Sequence, residues 1–372
     1  MFGFAPNPGA GRVLLYQTNV APTAVPIAIL GFSATHWNGV PLPAPLDGIG
    51  LPGCTLLTQL AITANAHAIA GGVAEYSVNI PADATLAGLQ LYGQWLNWGD
   101  ASVSATLPLT LSNGVHFQLG SDIGMPGFVV TGDPTAPSGA TWSYSATIGG
   151  VSYDLNGRLY KPSTPPAGGH LLYPAVVISH GYGGNANGYS AAIASTMRSW
   201  GLVCIMTNLT HAGGVPLGSP GLATERGASD ANVLRNRKCI DLVQSLGYVD
   251  MRRLAAHGHS MGAFATGALL GTHPELFMVG SHTAGGMSTQ PSAAATSVAQ
   301  AMGIVAPYQL HHGDADTVVP LIQGQALANQ LAANPTVHEF LVYSGFTHSQ
   351  IALDANMLAT VNAWYVAHGL LP

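Results

Sequence analysis

The pentapeptide Gly258-His259-Ser260-Met261-Gly262 constrains the fold of this chain more than any other stretch. It follows a strand-like run, Arg253–His257, and precedes a helix-like one, Ala263–Leu270. A serine between two glycines at a sharp strand-to-helix turn stands clear of the sheet, with its hydroxyl aimed outward. The turn is strained, and a side chain at Gly258 or Gly262 would strike the neighbouring strand or helix. The pattern predicts a sheet with helices packed on it, and a nucleophile at Ser260.

The surrounding sequence agrees. After residue 150 strand-like and helix-like runs alternate, which predicts a mostly parallel sheet with helices on both faces. Ala175–Ser179 and Leu202–Met206 read as buried strands. Residues 229–246 read as a helix with Ala231, Val233, Leu234, Ile240, Leu242 and Val243 facing the core. Met278–Ala284, Pro307–His311 and Val337–Tyr343 read as further strands, and 321–333 and 352–368 as helices.

Three more motifs fall at strand ends. His180-Gly181-Tyr182-Gly183-Gly184 follows the strand ending at Ser179. A loop of this kind shapes an oxyanion hole, to which the N–H groups of Tyr182 and Met261 would contribute. His312-Gly313-Asp314-Ala315-Asp316 follows the strand at 307–311. An acid there orients an imidazole. Asp316, followed by Thr317-Val318-Val319-Pro320, fits that role, and Asp314 fits a bond within the loop. Ser344-Gly345-Phe346-Thr347-His348 follows the strand at 337–343 and offers His348 as general base and then general acid.

The order Ser260, Asp316, His348 is that of α/β-hydrolases and differs from the orders of other serine hydrolases. Residues 150–372 resemble the cutinase and dienelactone-hydrolase branch of that superfamily, in which the elbow often reads as it does here. The resemblance implies an α/β-hydrolase fold, a serine esterase without cofactor or metal, and an acyl group flanked by Tyr182 and Met261. Two features common among its polyester hydrolases are absent. Ser281–Gly286 holds no aromatic residue, and no cysteine follows Cys239, which points the expectation away from aromatic polyesters.

Residues 1–135 read differently. Arg12–Tyr16, Ala28–Phe32, Tyr76–Ile80 and Leu89–Trp95 are short strand-like runs separated by turn residues, which predicts an all-β sandwich domain. Thr131–Gly139 is rich in Pro, Gly, Ser and Thr, so a linker is expected over 136–149, with the catalytic domain at 150–372. Trp95 and Trp98 lie three apart, so a strand would turn them to opposite faces and core packing is the simpler reading.

Composition narrows the partners. Charged residues make up 7% of the chain, net charge is −6, and only ten residues are Lys or Arg, which argues against nucleic acid. No run of eighteen apolar residues is present, so no membrane-spanning helix is expected. A surface this poor in charge suits a secreted or periplasmic protein, although Met1–Pro6 lacks the form of a signal peptide. Cys204 and Cys239 read as buried small hydrophobes, and a disulfide between them is not implied.

The expected function is a serine carboxylester hydrolase working through an acyl-enzyme on short- to medium-chain or polymeric, cutin-like esters. Only a short stretch, Met287–Val305, is left where a large lid would sit, which predicts an open cleft. His211, in the Gly-rich loop Leu209–Val215, is a candidate substrate contact or a surface-turn residue. His257 and His259 read as packing residues. His311 and His312 are adjacent in a strand and so point to opposite faces. The β-domain would hold the enzyme near a polymer or surface. Two other readings stand beside this one: a peptidase or thioesterase on the same fold, and a binding protein with a vestigial hydrolase domain.

Overall fold

Continuous apolar runs become strands buried on both faces, and most of the alternation expected after residue 150 is present. The computed structural model describes residues 12–70, 72–81, 83–100, 107–119, 127–148, 151–213, 225–288 and 294–372. The chain divides into two compact units. The larger comprises residues 126–167, 173–244 and 249–372. Its strands are β1 (Phe128–Thr131), β2 (Ala140–Ile148), β3 (Val151–Tyr160), β4 (Tyr173–Ser179), β5 (Val203–Thr207), β6 (Val249–His259), β7 (Val279–Thr283), β8 (Tyr308–Gly313) and β9 (His338–Tyr343). They form one sheet in the order β1-β2-β3-β5-β4-β6-β7-β8-β9. The first three strands and the β3–β5 pair are antiparallel, and the rest are parallel. Its helices are α1 (Tyr189–Ser199), α2 (Asp230–Ser245), α3 (Met261–Thr272), α4 (Val298–Gly303), α5 (Leu321–Ala333) and α6 (Ala355–Ala367).

Ile193 and Met197 of α1 and Met357, Val361 and Tyr365 of α6 pack with Val176, Cys204 and Ala255 of the central strands. On the other face α3 lies so close to α4 that a Cβ on Gly271 would stand 1.8 Å from the Gln300 carbonyl oxygen. All three cysteines are buried free thiols, and burial pushes Cys204 and Cys239 above the ordinary thiol range.

The expected linker needs correction. Residues 140–148 form β2, paired along its length with β3. The signal was a period-two alternation in which Ala140, Trp142 and Tyr144 are buried among exposed Thr and Ser. The Trp142 indole N–H reaches the carbonyls of Arg158 (3.1 Å) and Met206 (3.2 Å), over Gly157, where a Cβ would lie 1.9 Å from the Met206 oxygen. The Pro- and Thr-rich stretch before it is an ordered turn. Asp133 accepts from the Thr135 N–H at 2.8 Å, and Arg198 donates to the Ala136 carbonyl.

The smaller unit comprises residues 1–125, 168–172 and 245–248. It is antiparallel β throughout its described strands. Arg12–Gln17, Val73–Asn79 and Ala68–Ala70 form one sheet, and Gln90–Trp98 with Val25–Gly31, Ile62–Asn65, Leu109–Leu111 and Val115–Gln118 form a second. Leu15, Ala28, Leu30, Ala74 and Trp95 share one core. Trp95 is 5% exposed and Trp98 50%, as their spacing on one strand requires. Two short segments from beyond residue 150 belong to this unit. Glu75, buried in the middle of its strand, receives the Leu171 N–H at 3.3 Å and meets His170 Nδ1 at 3.2 Å. Residues 1–6, read as lacking a signal peptide, lie outside the described residues.

Four histidines of β6, β7 and β8 are buried in the larger unit and held by hydroxyl groups. His257 meets the Tyr189 hydroxyl (3.0 Å) and Ser281 Oγ (2.8 Å), and Ser281 in turn meets the Tyr365 hydroxyl (2.8 Å). That chain pins α1 and α6 to the sheet. His259 meets Thr283 Oγ1 at 2.9 Å, His282 the Tyr308 hydroxyl at 2.7 Å, and His311 the Tyr343 hydroxyl at 2.8 Å. Burial drives the imidazoles of His257, His259 and His311 down to about 3, so they are neutral in the fold.

In the unfolded chain the same rings titrate near their ordinary value of about 6.5. Between those values the unfolded chain binds protons that the fold refuses. Stability is therefore complete above about pH 6.5 and falls as pH drops towards 3. Urea midpoints should decline steadily over that window; a flat midpoint would refute the buried neutral histidines. In the same assay Trp142→Ala should cost about 3–5 kcal/mol and Gly157→Ala about 1–3 kcal/mol. A near-neutral Trp142→Ala would mean that 140–148 is a linker after all.

Candidate active site

Ser260 joins the last residue of β6 to the first of α3 and has φ 57° and ψ −124°, a conformation that side chains rarely adopt. Its N–H donates to the Thr283 carbonyl of β7 at 3.0 Å, which holds the strained residue to the sheet. The flanking glycines are needed for clearance. A Cβ on Gly262 would stand 2.2 Å from the Ser179 carbonyl oxygen, and one on Gly258 would stand 2.3 Å from that of Gly262.

The loops after β8 and β9 are stitched together. Asp314 N–H donates to the Tyr343 carbonyl and Ala315 N–H to that of Phe346, each at 3.1 Å, and Asp314 Oδ1 accepts from Gly345 N–H at 2.6 Å. Asp314 thus ties the loop carrying Asp316 to the loop carrying His348. Within this frame Asp316 Oδ2 accepts from His348 Nδ1 at 2.7 Å. Its Oδ1 accepts from the N–H groups of Val318 (2.8 Å) and Val319 (2.9 Å). With the acid accepting at Nδ1, the other ring nitrogen, Nε2, is the acceptor for the Ser260 hydroxyl, 2.8 Å away. Three residues from three strand ends therefore meet in one unbroken chain. His259 packs against the outer face of the His348 ring at 4.8 Å and, being neutral, adds no competing charge.

The loop after β4 stands over the serine. A Cβ on Gly181 would be 3.2 Å from that of Ser260. The loop is braced from within. His180 Nδ1–H donates to the Gly181 carbonyl (2.8 Å), and its Nε2 accepts from Leu209 N–H (3.0 Å). Gly183 and Gly184 donate to the carbonyls of His211 (3.1 Å) and Gly181 (3.2 Å). The Tyr182 N–H is not among the bonds that fix the loop. Met261 opens α3, where a helix leaves its first N–H groups without carbonyl partners. Tyr182 follows Gly181 on the loop that approaches Ser260, and Met261 follows Ser260 in the chain.

His211 is a correction. It is 5% exposed, sits edge-on to His180 at 5.0 Å, and donates from Nε2 to the His180 carbonyl at 3.0 Å while Nδ1 accepts from Gly227 N–H at 3.4 Å. Both nitrogens are engaged inside the protein, so it braces the oxyanion loop and does not line a cleft. Burial lowers His180 to about 3 and His211 to about 4, which keeps the pair neutral at neutral pH. Sequence reading had no signal for this pairing across 31 residues of chain. It also had none for Arg226, whose guanidinium lies 4.8 Å from the ring centre of the exposed Tyr182. Met287–Val305, from which an open cleft was expected, includes residues 289–293, and the candidate contact loop Leu209–Val215 includes residues 214–215, all outside the described residues. Between Ser297 and Ile304 the chain forms the short helix α4. Among the described residues no three His, Cys, Asp or Glu side chains converge as a metal site requires. No described helix is long and apolar enough to cross a membrane.

Residues 236–302, from α2 through the elbow to α4, match the prolyl oligopeptidase family. No curated protein matches the chain. Among solved structures, a puromycin-hydrolysing peptidase of Mycobacterium tuberculosis is similar with a TM-score of 0.51 and 17% identity, covering 76% of this chain and 46% of its own. An S-formylglutathione hydrolase of Agrobacterium tumefaciens is similar with a TM-score of 0.50 and 14% identity, covering 64% of this chain and 99% of its own. A candidate dipeptidyl aminopeptidase IV of Bacteroides ovatus has a TM-score of 0.50 and 18% identity, covering 75% of this chain and 41% of its own. The chain spans less than half the length of the two peptidases. Sheet order, elbow and these likenesses agree, and the larger unit has the α/β-hydrolase fold.

Proposed function

We propose that the chain is a serine carboxylester hydrolase. The observation that carries this reading is the continuous hydrogen-bonded line from Asp316 through His348 to Ser260. Ser260 attacks the ester carbonyl while His348 Nε2 takes its proton. The Tyr182 and Met261 N–H groups receive the developing oxyanion, and His348 then protonates the departing alcohol. Water repeats the sequence on the acyl-enzyme. Asp316 holds the imidazole in the tautomer that leaves Nε2 unprotonated and stabilises the imidazolium that forms.

The exposed Tyr182 ring and the Met261 side chain flank the acyl group, as in the cutinase and dienelactone-hydrolase branch. Substrates on this reading are short- to medium-chain or polymeric, cutin-like esters, and the protein works in a secreted or periplasmic setting. The smaller unit keeps the enzyme near a polymer or surface. A second reading, a peptidase, is favoured by the match of residues 236–302 to the prolyl oligopeptidase family.

Hydrolysis of p-nitrophenyl esters from acetate to palmitate, beside aminoacyl and prolyl p-nitroanilides, separates the two. Turnover of esters alone, with a maximum among the shorter chains, is expected; turnover of anilides alone would establish the peptidase. Ser260→Ala should lower kcat roughly a millionfold and abolish fluorophosphonate labelling. Asp316→Asn should lower kcat about ten-thousandfold while leaving the fold intact, because the imidazole then takes the wrong tautomer. An Asp314→Asn variant equally inactive, beside an active Asp316→Asn, would reassign the acid.

A further inference from the structure

His312 stands beside Asp316, and both side chains are wholly buried. Its Nε2–H donates to the Val319 carbonyl at 2.8 Å and stands 3.5 Å from Asp316 Oδ2, the same oxygen that His348 holds. With the proton on Nε2, Nδ1 is an acceptor and needs a donor. The Gly285 carbonyl beside the ring is another acceptor and cannot serve, and among the described residues His312 Nδ1 has no hydrogen-bond partner.

One strand away, His282 presents the complement. Its Nδ1 meets the Tyr308 hydroxyl at 2.7 Å. That ring nitrogen is the one hydrogen-bond partner of the Tyr308 hydroxyl among the described residues, so the buried O–H donates to it. The proton of His282 therefore sits on Nε2, a buried donor that likewise has no partner among the described residues. His282 pairs in register with Leu310, two residues before His312, so the two imidazoles share one face of the sheet. Gly285 stands beside His282, where a Cβ would lie 3.4 Å from His282 Cδ2, and Gly324 of α5 stands beside His312 Nδ1, where one would lie 2.8 Å away. His282 Nε2 and His312 Nδ1 are thus a buried donor and a buried acceptor on one face of the sheet, each without a partner among the described residues.

We infer that His312 is a positioning residue for Asp316, and that Tyr308 and His282 fix His312 in the tautomer that turns an N–H towards the triad acid. The link between the imidazoles is closed by one ordered water, because neither nitrogen has a direct partner among the described residues. This inference rests on the serine-hydrolase reading above. Its effect passes through His348. The groups facing that ring are Asp316 and Ser260 at its nitrogens and the neutral His259 on its face, with His312 beside the acid.

The rate of fluorophosphonate labelling as a function of pH tests it, because the reagent is independent of the natural substrate. His312→Leu should slow labelling roughly ten- to a hundredfold, as loss of the support behind a reacting group does elsewhere, and should move the acidic limb of the profile. His312→Gln, which can keep an N–H towards Val319 and Asp316, should retain most of the rate and the limb. A folded His312→Leu with the wild-type rate and limb would overturn the inference. So would equal losses in both variants with an unmoved limb, the mark of packing alone. If neither variant folds, ¹⁵N shifts of the wild-type chain decide: a protonated Nε2 and bare Nδ1 on His312 are expected, and the opposite tautomer or an imidazolium overturns it. A wild-type chain that does not label at all would instead sink the hydrolase reading.

Discussion

The close approach of Gly262 to the carbonyl end of β4 is the contact on which the remaining geometry depends. Because no side chain intervenes, α3 can start directly over the strand ends, and Ser260 is forced into a left-handed backbone conformation between them. The strain is held by neighbours: Thr283 accepts the serine N–H, and Gly181 lies against its Cβ. Strain of this kind persists only where the surroundings over-determine it. It lifts the hydroxyl clear of the strand ends and within 2.8 Å of His348 Nε2.

A second constraint comes from the histidines of the central strands. Their hydroxyl partners include Tyr189 of α1, Tyr308 of β8 and Tyr343 of β9, so each neutral imidazole works as a directional cross-link in a core that packing alone would leave less specific. The same low dielectric that keeps these rings uncharged makes an unpaired ring nitrogen costly. His180 and His211 apply the device to the oxyanion loop, where two buried rings replace the regular backbone bonding that a loop lacks.

Much of the larger unit is legible in the sequence because its strands are apolar on both faces. Leu321–Ala333 forms a helix over the span its periodicity indicates, and the strand-end motifs with their chain order select Ser260, Asp316 and His348, the three residues that meet. Strand β2 is harder to read. Trp142 and Tyr144 alternate with Ser and Thr beside a Pro-rich turn, and local composition outweighs a weak period-two signal. The place of His211 depends on His180, far away in sequence, and no local pattern distinguishes a brace from a cleft residue on a glycine-rich loop. Asp314 is legible as a loop-binding residue, but its partner, Gly345, becomes evident only when β8 and β9 lie side by side.

The return of residues 168–172 and 245–248 to the smaller unit bears on how such a protein could have been assembled. A module carried as a continuous stretch of chain can be added, lost or exchanged at a single junction. Here the smaller unit takes its pieces from three separate stretches, and buried Glu75 is matched to His170 and Leu171, which enter just before β4. A gene cut at the end of the first stretch would strand a carboxylate in an apolar strand and orphan its partners. The two units are therefore bound to be inherited together, and variation in one must be tolerated by the other.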